Sequence, residues 1–478
     1  MRILFDRKIS IVFLILQFLA SAGVVGLVFY MDVLPMKYII CLIAVVLFFM
    51  AYGVLSQMTQ KTYILGRVLI GVFLILYAGV GYYAYSTIDT LNNISGEQVK
   101  LDEVSYLVLS TDPAASLKDT KGYSYGSLEG IDEENTKQAL SNVKEVLKQE
   151  IPVMKYADTD TMLAALYASQ VKVIVFNESF RQTVTENHPD FEKNTKKIGT
   201  YQIKTNLAAG ETEENNEDVT KQSFNVYISG IDTYGDISQT SRSDVNIVAT
   251  INPVTKQILL TSAPRDYYIP MANSNGMPDK LTHAGMFGVD NSRKTLEMLY
   301  DIDIDYYVRV NFTGLKKIVN TLGGVEVYSD YTFTSDWGPS FKKGYNKVNG
   351  KQALAFCRER HHFATGDRQR AKNHQHMFEA ILSKVMSPSV LPNYMDLLKV
   401  FKKMVQTNMS TKQITALAKM QLDDMSQWKI SSYSVDGTGA RKTTYTYRSR
   451  SLYVMEPDMR TVEKAKEKIN KVYHATAQ

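Results

Sequence analysis

Three long apolar runs open the chain, at residues 9–31, 38–58 and 68–88, and none of them contains a charged side chain. Each run is about 20 residues long, and an α-helix of that length, at about 1.5 Å per residue, crosses the hydrocarbon core of a bilayer. A cleaved secretory signal has a shorter apolar core and is not followed by further spans. The pattern therefore predicts three transmembrane helices within residues 1–88.

Basic side chains flank these runs unevenly. Arg2, Arg7 and Lys8 precede the first run, and Lys61 and Arg67 lie between the second run and the third. Cytoplasmic loops of membrane proteins carry the excess of Lys and Arg. We therefore expect a multi-pass protein of the cell membrane with three spans, a cytoplasmic amino terminus, and everything after about residue 89 outside the cell.

Short apolar strands alternate with amphipathic helices in the first part of this outer region. Residues 105–110 and 171–177 have the pattern of strands, whereas residues 133–149 and 159–169 have helical periodicity. Alternation of this kind is typical of a compact α/β unit with short connections. It predicts a small accessory α/β domain at residues 104–207.

Polar segments lie on both sides of that domain. We expect a linker at residues 89–103 and a second linker, strongly acidic, at residues 208–220. Residues 208–218 carry five acidic side chains and no large apolar one, so they cannot bury enough apolar surface to fold.

Residues 221–478 show the clearest strand pattern, with β-rich runs at residues 224–229, 245–251 and 257–262 that are separated by turn residues. Helices and strands alternate after them, which predicts a sheet covered by helices on both faces. The predicted helices are 289–300, 313–322, 350–358, 368–385, 394–407, 411–420 and 458–472, and the predicted later strands are 306–310, 325–327, 429–435 and 451–455.

The composition of the chain excludes several classes of structure and function. Hydrophobic residues make up 45% and charged residues 22% of the 478 positions, which is typical of globular protein and excludes wholesale disorder. The outer region is close to neutral, and a nucleic-acid-binding domain is normally strongly basic, so we expect no nucleic acid partner. Cys41 lies inside an apolar run and Cys357 is the single cysteine outside, which predicts an envelope domain without disulfides.

Charged residues cluster where the predicted strands and helices of the last domain end, which is where such folds present ligands. The guanidinium fork of arginine binds phosphate oxygens through paired hydrogen bonds, and Mg²⁺ is typically held by one or two carboxylates together with substrate phosphates. The clusters therefore predict a site for a pyrophosphate bridged by a divalent cation. The arginines are Arg242, Arg265, Arg358, Arg360, Arg368 and Arg370, and the interleaved acids are Asp232, Asp244 and Asp367.

Simpler structural roles remain open for some of these charged residues. Any single Arg and Asp pair could be a surface salt bridge, and Asp367 could cap the helix that it begins. His361, His362, His374 and His376 lack the spacing of a structural zinc site.

The motifs Gly-Ile-Asp, Ser-Arg-Ser-Asp, Pro-Arg-Asp, Asp-Lys-Leu-Thr-His-Ala, Arg-Glu-Arg and Gly-Asp-Arg-x-Arg occur in this order between residues 223 and 385. This order closely resembles the LytR-CpsA-Psr family, and the three spans and the accessory domain resemble its capsule-associated branch. The resemblance implies a central mixed β-sheet flanked by helices on both faces, over residues 221–478. It also implies a membrane-anchored, Mg²⁺-dependent phosphotransferase of Gram-positive-type envelopes, in which Mn²⁺ could replace Mg²⁺.

The implied reaction transfers a glycopolymer, either a capsular polysaccharide or a teichoic-acid-like chain, from an undecaprenyl-pyrophosphate carrier to peptidoglycan, with capsule assembly proteins as further partners. By the same resemblance, Asp244 is a metal ligand, Asp367 activates the acceptor, and Arg309 supports the pocket. Asp232, from the charged clusters, is the second expected metal ligand. His374 stands where relatives usually have glutamine. Arg242, Arg265, Asp367 and Arg370 are the expected catalytic residues, and the expected pyrophosphate ligands are Arg242, Arg265, Lys280, Arg358, Arg360, Arg368 and Arg370.

A polyisoprenoid tail also needs an apolar trough, because each buried CH₂ contributes about 0.8 kcal/mol. Two other functions stay open: hydrolysis of a polyprenyl pyrophosphate, and non-enzymatic binding of such a lipid to regulate capsule assembly. The candidate trough residues are Ile318, Val319, Leu322, Leu354, Phe378, Ile381 and Leu382.

Overall fold

The computed structural model describes residues 7–31, 34–59, 61–92, 98–207 and 218–476. The three predicted apolar helices are confirmed, and each is long and apolar enough to cross a membrane. They pack against one another through side chains such as Val24, Ile39 and Tyr77. The helices are α1 (Arg7–Met31), α2 (Met36–Met58) and α3 (Tyr63–Asn92).

The accessory region contains a five-stranded sheet in the order β3-β2-β4-β1-β5. Its longest strands, β1 and β5, pair antiparallel over most of their length, and apolar side chains such as Val104 and Val143 fill the core on one face. The strands are β1 (Gln98–Leu109), β2 (Tyr125–Leu128), β3 (Val153–Tyr156), β4 (Val173–Asn177) and β5 (Thr195–Leu207), and the helices are α4 (Glu133–Leu147), α5 (Thr159–Tyr167), α6 (Arg181–Asn187) and α7 (Phe191–Asn194).

The two predicted linkers are described only in part. Residues 89–92 of the first belong to α3 and residues 98–103 to β1, while residues 93–97 lie outside the described residues. Residues 208–217 of the acidic segment also lie outside the described residues.

A six-stranded mixed sheet forms the centre of the second region, in the order β16-β11-β6-β7-β8-β17. The β7 strand is antiparallel to β6 and β8, whereas β11 and β17 run parallel to β6 and β8 respectively. The strands are β6 (Phe224–Ile231), β7 (Ser243–Asn252), β8 (Gln257–Ala263), β11 (Tyr306–Asn311), β16 (Val405–Thr407) and β17 (Lys429–Ser434).

Helices cover both faces of this sheet, as predicted. Tyr227 of β6 packs with Leu296 and Val462 on one face, whereas the next residue, Ile228, belongs to the cluster on the opposite face with Phe378. Successive side chains of a strand point to opposite faces, so both faces are apolar and buried. The helices are α8 (Leu281–Ala284), α9 (Val289–Tyr300), α10 (Phe312–Thr321), α11 (Gly350–Arg358), α12 (Asp367–Val385), α13 (Tyr394–Met404), α14 (Thr411–Asp424) and α15 (Met459–Tyr473).

Four two-stranded pairs complete the described strands. The predicted helix over residues 394–407 is wrong at its end, because Val405 and Thr407 pair with β11 as an edge strand and β-branched residues favour that conformation. The sequence pattern also did not predict β18. The pairs are β9 (Tyr268–Pro270) with β10 (Pro278–Lys280), β12 (Val325–Ser329) with β15 (Gly344–Val348), β13 (Phe333–Thr334) with β14 (Ser340–Phe341), and β18 (Gly437–Lys442) with β19 (Leu452–Pro457).

The accessory sheet is packed firmly against the second region. The backbone of Leu101 donates to Ser238 at 2.9 Å and accepts from Thr240 at 3.1 Å. Met286 and Tyr445 belong to the same apolar cluster as residues of α5 and β4. The two sheets therefore share a core as well as backbone hydrogen bonds.

A β-bulge in the central sheet determines where Asp244 lies. Gly230 pairs with Val245 and Ile231 pairs with Ser243, so Asp244 is the extra residue on β7. A bulge redirects the side chain of its extra residue. A Cβ on Gly230 would lie 2.6 Å from Val245 Cγ2, so glycine allows the two strands to approach here.

We expect Gly285→Ala to lower the free energy of unfolding by about 1–3 kcal/mol, because over-packing forces the backbone to move. The new Cβ would lie 2.6 Å from Ser243 N and 2.8 Å from Ser241 O, at the start of β7. Thermal or denaturant unfolding of the detergent-solubilised protein measures the effect. Gly199→Ala is the control, since its Cβ would meet Tyr106 at an ordinary 3.4 Å; equal stability of the two variants would contradict the prediction.

Candidate active site

A cavity of about 200 Å³ lies at the edge of the six-stranded sheet where β6, β8 and β11 end and the antiparallel β7 begins. In open α/β sheets, ligands bind in the crevice beyond such strand ends. Residues far apart in the sequence meet there because neighbouring strands end at the same edge. Seven of the predicted charged residues line the cavity: Asp232, Arg242, Asp244, Arg265, Arg358, Arg360 and Arg370.

Asp244 and Arg265 form the central ion pair of the cavity. Arg265 Nη1 donates to Asp244 Oδ2, and the Thr282 hydroxyl donates to Asp244 Oδ1 at 3.1 Å. Burial opposes ionisation of Asp244, but the charges of Arg265, Arg370 and Arg242 outweigh it and hold its pKa far below the usual value. Asp244 is therefore a carboxylate at neutral pH.

Arg358 and Arg360 form the rim of the cavity. The Arg358 guanidinium lies 4.9 Å from the ring centroid of Phe312 and 4.5 Å from that of Trp337, so aromatic faces hold it through cation–π contacts. Glu359, between the two arginines, is buried and accepts backbone N–H bonds that include one from Arg360 at 2.9 Å. Glu359 thus fixes the turn that presents both guanidinium groups.

Asp367 and Arg370 lie one turn apart on α12 and form an ion pair at 2.9 Å. Arg370 lines both the cavity and an adjoining pocket of about 340 Å³, whereas Asp367 and Arg368 line only that second pocket. Arg368 pairs with Asp436 at 2.9 Å. Arg368 therefore shares the second pocket with Arg265 and Arg370 but does not line the cavity.

Lys280 and Arg309 lie behind the cavity. Lys280 Nζ bonds Asp266 at 2.9 Å, and Asp266 lies 3.7 Å from Arg265 Nε, so Lys280 contacts the site through Asp266 and does not line either pocket. Arg309 is buried and donates to the carbonyls of Ile237 at 2.7 Å and Gln239 at 2.6 Å. It holds the loop between β6 and β7.

His374 lines both pockets and is fixed in orientation by a hydrogen bond. Its Nε2 donates to the carbonyl of Cys357 at 2.8 Å, which leaves Nδ1 as the unprotonated nitrogen of the neutral ring. Burial and the charge of Arg370 lower the pKa of His374 to about 4. The imidazole is therefore neutral near pH 7 and adds no charge to the arginine cluster.

Asp232 and Asp244 offer the chemistry that a divalent cation requires. Burial and the charge of Asp244 raise the pKa of Asp232, which is the sign of two carboxylates that repel each other across a poorly solvated space. A cation between them would remove that repulsion, so the donor set fits Mg²⁺.

A second group of possible ligands lies at the rim. Asp336, Glu359 and His362 place one ligand atom each within 4.8 Å of one another. His361 Nδ1 lies 2.7 Å from Asp336, whereas His376 lies against Tyr328 with ring centroids 5.6 Å apart. The four histidines therefore do not converge on one point in the described part of the chain.

The apolar side of the cavity differs from the predicted trough. Of the seven candidates, Phe378 lines the cavity, together with Val310, Phe312, Leu315 and Met377. The other candidates lie in the core, because the helix faces that carry them are turned away from the cavity. Ile318, Val319, Leu322 and Ile381 pack beneath β12 and β15, Leu382 packs against the central sheet, and Leu354 is buried.

Several residues of the site were not predicted from the sequence. Gln182 and Glu186 line the cavity, although their helix, α6, belongs to the accessory region. Glu186 pairs with Arg242, and Gln182 lies 3.4 Å from Asp232. A charged residue on a short polar helix gives no sequence signal of such a role. Trp337 had a weak signal, since the chain has only two tryptophans.

Comparison with known proteins agrees with this architecture. The family model described as LytR_cpsA_psr matches residues 174–474, well over half of the chain. The chain belongs to the LytR-CpsA-Psr family. The match begins within β4, so it includes α6 of the accessory region as well as the central sheet.

Two relatives and one solved structure illustrate the similarity. Polyisoprenyl-teichoic acid--peptidoglycan teichoic acid transferase TagU of Enterococcus faecalis is 36% identical over 232 residues, which are 48% of this chain and 75% of the relative. The TagU protein of Bacillus cereus is 38% identical over 199 residues, 41% of this chain and 64% of the relative. The crystal structure of B. subtilis TagV is 29% identical, with a TM-score of 0.46, and covers 54% of this chain and 99% of that chain.

Membership of this family supports a role for the chain as a glycopolymer transferase of the cell envelope. The three apolar helices indicate that a membrane anchor holds it there.

We expect His374→Gln to reduce the loss of stability in acid. The folded-state pKa of His374, about 4, lies below its ordinary value of 6.5. The unfolded state therefore binds this proton first, and the stability conferred by the neutral ring, present above pH 6.5, is lost as the pH falls towards 4. The variant should lose up to about 3 kcal/mol less between these pH values.

Unfolding midpoints of the detergent-solubilised protein at pH 7 and pH 4.5 measure this difference. His474→Gln, at an exposed position, is the control and should follow the wild type. An identical acid response of wild type and His374→Gln would contradict the account.

Proposed function

We propose that the chain is a phosphotransferase that moves a glycopolymer from an undecaprenyl-pyrophosphate carrier to a hydroxyl of peptidoglycan. The observation that carries this proposal is the convergence of Arg265, Arg358, Arg360 and Arg370 on one cavity that also has an apolar side. Buried guanidinium groups repel one another unless an anion lies among them. A diphosphate ester with a hydrocarbon tail fits such a cavity, because its phosphates would lie against the arginines and its tail against the apolar side.

The arginines would act on the charge of the diphosphate. Attack by the acceptor oxygen on the phosphorus nearer the sugar forms one P–O bond and breaks the bond to the lipid phosphate, which leaves with the negative charge. Positioning and charge neutralisation supply most of the acceleration in phosphoryl transfer. The side chains of Arg265 and Arg370 are only 13% and 11% exposed, so water screens their charges weakly.

Asp232 and Asp244 would hold Mg²⁺, or Mn²⁺ in its place. The ion would supply further neutralisation of the diphosphate oxygens. Thr282 orients Asp244 by hydrogen bonding to the oxygen that Arg265 does not bind. These carboxylates and the arginines together would fix the diphosphate in one orientation.

Asp367 is the candidate to orient or deprotonate the acceptor hydroxyl. Its side chain is 35% exposed and lies beside Arg370, in the pocket that adjoins the cavity. An acceptor glycan in that pocket would lie beside Arg265 and Arg370, which line both pockets. This arrangement supports general-base assistance by Asp367.

Contacts of the apolar helices support an orientation with the catalytic region outside the cell. Lys37, at the start of α2, pairs with Asp423 of α14 at 3.6 Å, and Tyr38 donates to the carbonyl of Leu422. The α1–α2 connection therefore lies on the same side of the bundle as the catalytic region. The basic residues Lys61 and Arg67 lie at the other end, which the positive-inside rule assigns to the cytoplasm.

We expect Arg265→Ala to reduce transfer of polymer from a synthetic polyprenyl-diphosphate glycan to peptidoglycan by about 100-fold or more, because an uncompensated charge then develops in the transition state. Covalent attachment of labelled polymer to peptidoglycan measures the rate. Arg460→Ala is the matched control, since Arg460 is 91% exposed and pairs with Asp458.

Two outcomes would contradict the transferase, and a third would show that the variant is unsuitable. Full attachment by Arg265→Ala would favour a lipid-binding scaffold. Release of free polymer by the wild type, without attachment, would indicate a hydrolase. Equal losses in Arg265→Ala and Arg460→Ala would indicate a general effect on folding.

A further inference from the structure

A carboxylate from α6 of the accessory region already holds one arginine of the cavity. Arg242 Nη1 donates to Glu186 Oε2 at 2.8 Å, and Arg242 Nη2 donates to Glu186 Oε1 at 2.8 Å. Paired bonds of this kind use the same donors with which arginine binds phosphate. In this structure the fork of Arg242 is therefore engaged by a protein anion.

The two partners differ in their surroundings. The Arg242 side chain is 3% exposed, whereas the Glu186 side chain is 51% exposed. Burial opposes ionisation of Glu186, but the hydrogen bonds and charge of Arg242 and the charge of Arg265 outweigh it and lower its pKa. Glu186 is thus an anion that faces the arginine cluster and can turn into solvent while α6 stays in place.

The α6 helix does not depend on this ion pair for its position. The accessory sheet is also joined to the catalytic region by Leu101, whose backbone bonds Ser238 and Thr240, and by Asp158, which accepts from the backbone of Arg448 and Ser449. Release of Glu186 therefore leaves the wall of the cavity intact.

We propose that Glu186 is a displaceable counter-anion of Arg242, which the diphosphate of the carrier lipid replaces when it binds. The inference rests on the proposed function and adds a role for the accessory sheet. Glu186 compensates the charge of Arg242 in the free protein. It competes with the anionic substrate for the guanidinium of Arg242. It lowers the affinity of the site and returns to Arg242 when the phosphate product leaves.

The test is the affinity of the full-length protein, in lipid nanodiscs with Mg²⁺, for inorganic pyrophosphate, measured by calorimetry. Glu186→Gln keeps the size of the side chain but removes its charge, and we expect it to bind pyrophosphate about tenfold more tightly if Arg242 is free in about a tenth of wild-type molecules. Glu192→Gln is the control, because Glu192 of α7 pairs with Arg181 of α6 at 2.8 Å but does not line the cavity.

Equal or weaker binding by Glu186→Gln than by the wild type would overturn the inference and leave the proposed function intact. Absence of pyrophosphate binding in both proteins would contradict the inference and the proposed function together. Tighter binding by Glu192→Gln as well would indicate an effect of net charge alone and would also overturn the inference.

A structure of the wild type with pyrophosphate and Mg²⁺ provides a second measurement. We expect the Arg242 guanidinium within hydrogen-bond distance of a phosphate oxygen and the Glu186 carboxylate turned away. An intact Glu186 and Arg242 pair beside bound pyrophosphate would overturn the inference.

Discussion

Repulsion among buried guanidinium groups is the constraint on which this site depends. Arginines cannot be gathered around a cavity of about 200 Å³ unless each is held and its charge is compensated. Protein carboxylates compensate the three most buried ones: Asp244 holds Arg265, Glu186 holds Arg242 and Asp367 pairs with Arg370. Aromatic rings support Arg358, and Arg360 is exposed to solvent. The free protein is thus arranged for an anion that would join these separate pairs.

The central sheet supplies the geometry that this arrangement needs. Strand ends that meet at one edge bring Asp232, Arg265 and Asn311 together, and the bulge on β7 turns Asp244 into the same space. The α12 helix adds Arg370 from above the sheet. Because strands and a helix determine these positions, the site is built on rigid elements, as efficient charge stabilisation requires.

Much of this architecture could be predicted from the sequence. Apolar runs predicted the three helices, and alternation of apolar residues predicted β6, β7 and β8 to within two residues at each end. Charged clusters at strand ends identified seven residues that line the cavity. These features are local in the sequence, or follow from the rule that parallel strands end at one edge.

Other features depend on long-range packing and could not be predicted. Ile318 and Leu322 have the periodicity of a helix face, but the sequence does not reveal whether that face meets a ligand or the core. The position of Arg368 depends on Asp436, which lies 68 residues away in the chain and pairs with it at 2.9 Å. Glu186 lies on α6 of the accessory region, so only the packing of that region against the central sheet brings it to Arg242.

The most direct test of the central claim is mass spectrometry of lipids bound to the protein after purification from its own membranes. A cavity with converging arginines and an apolar side should retain a polyprenyl phosphate or diphosphate at close to one molecule per chain. Recovery of bulk phospholipids alone, in the proportions of the membrane, would contradict the account.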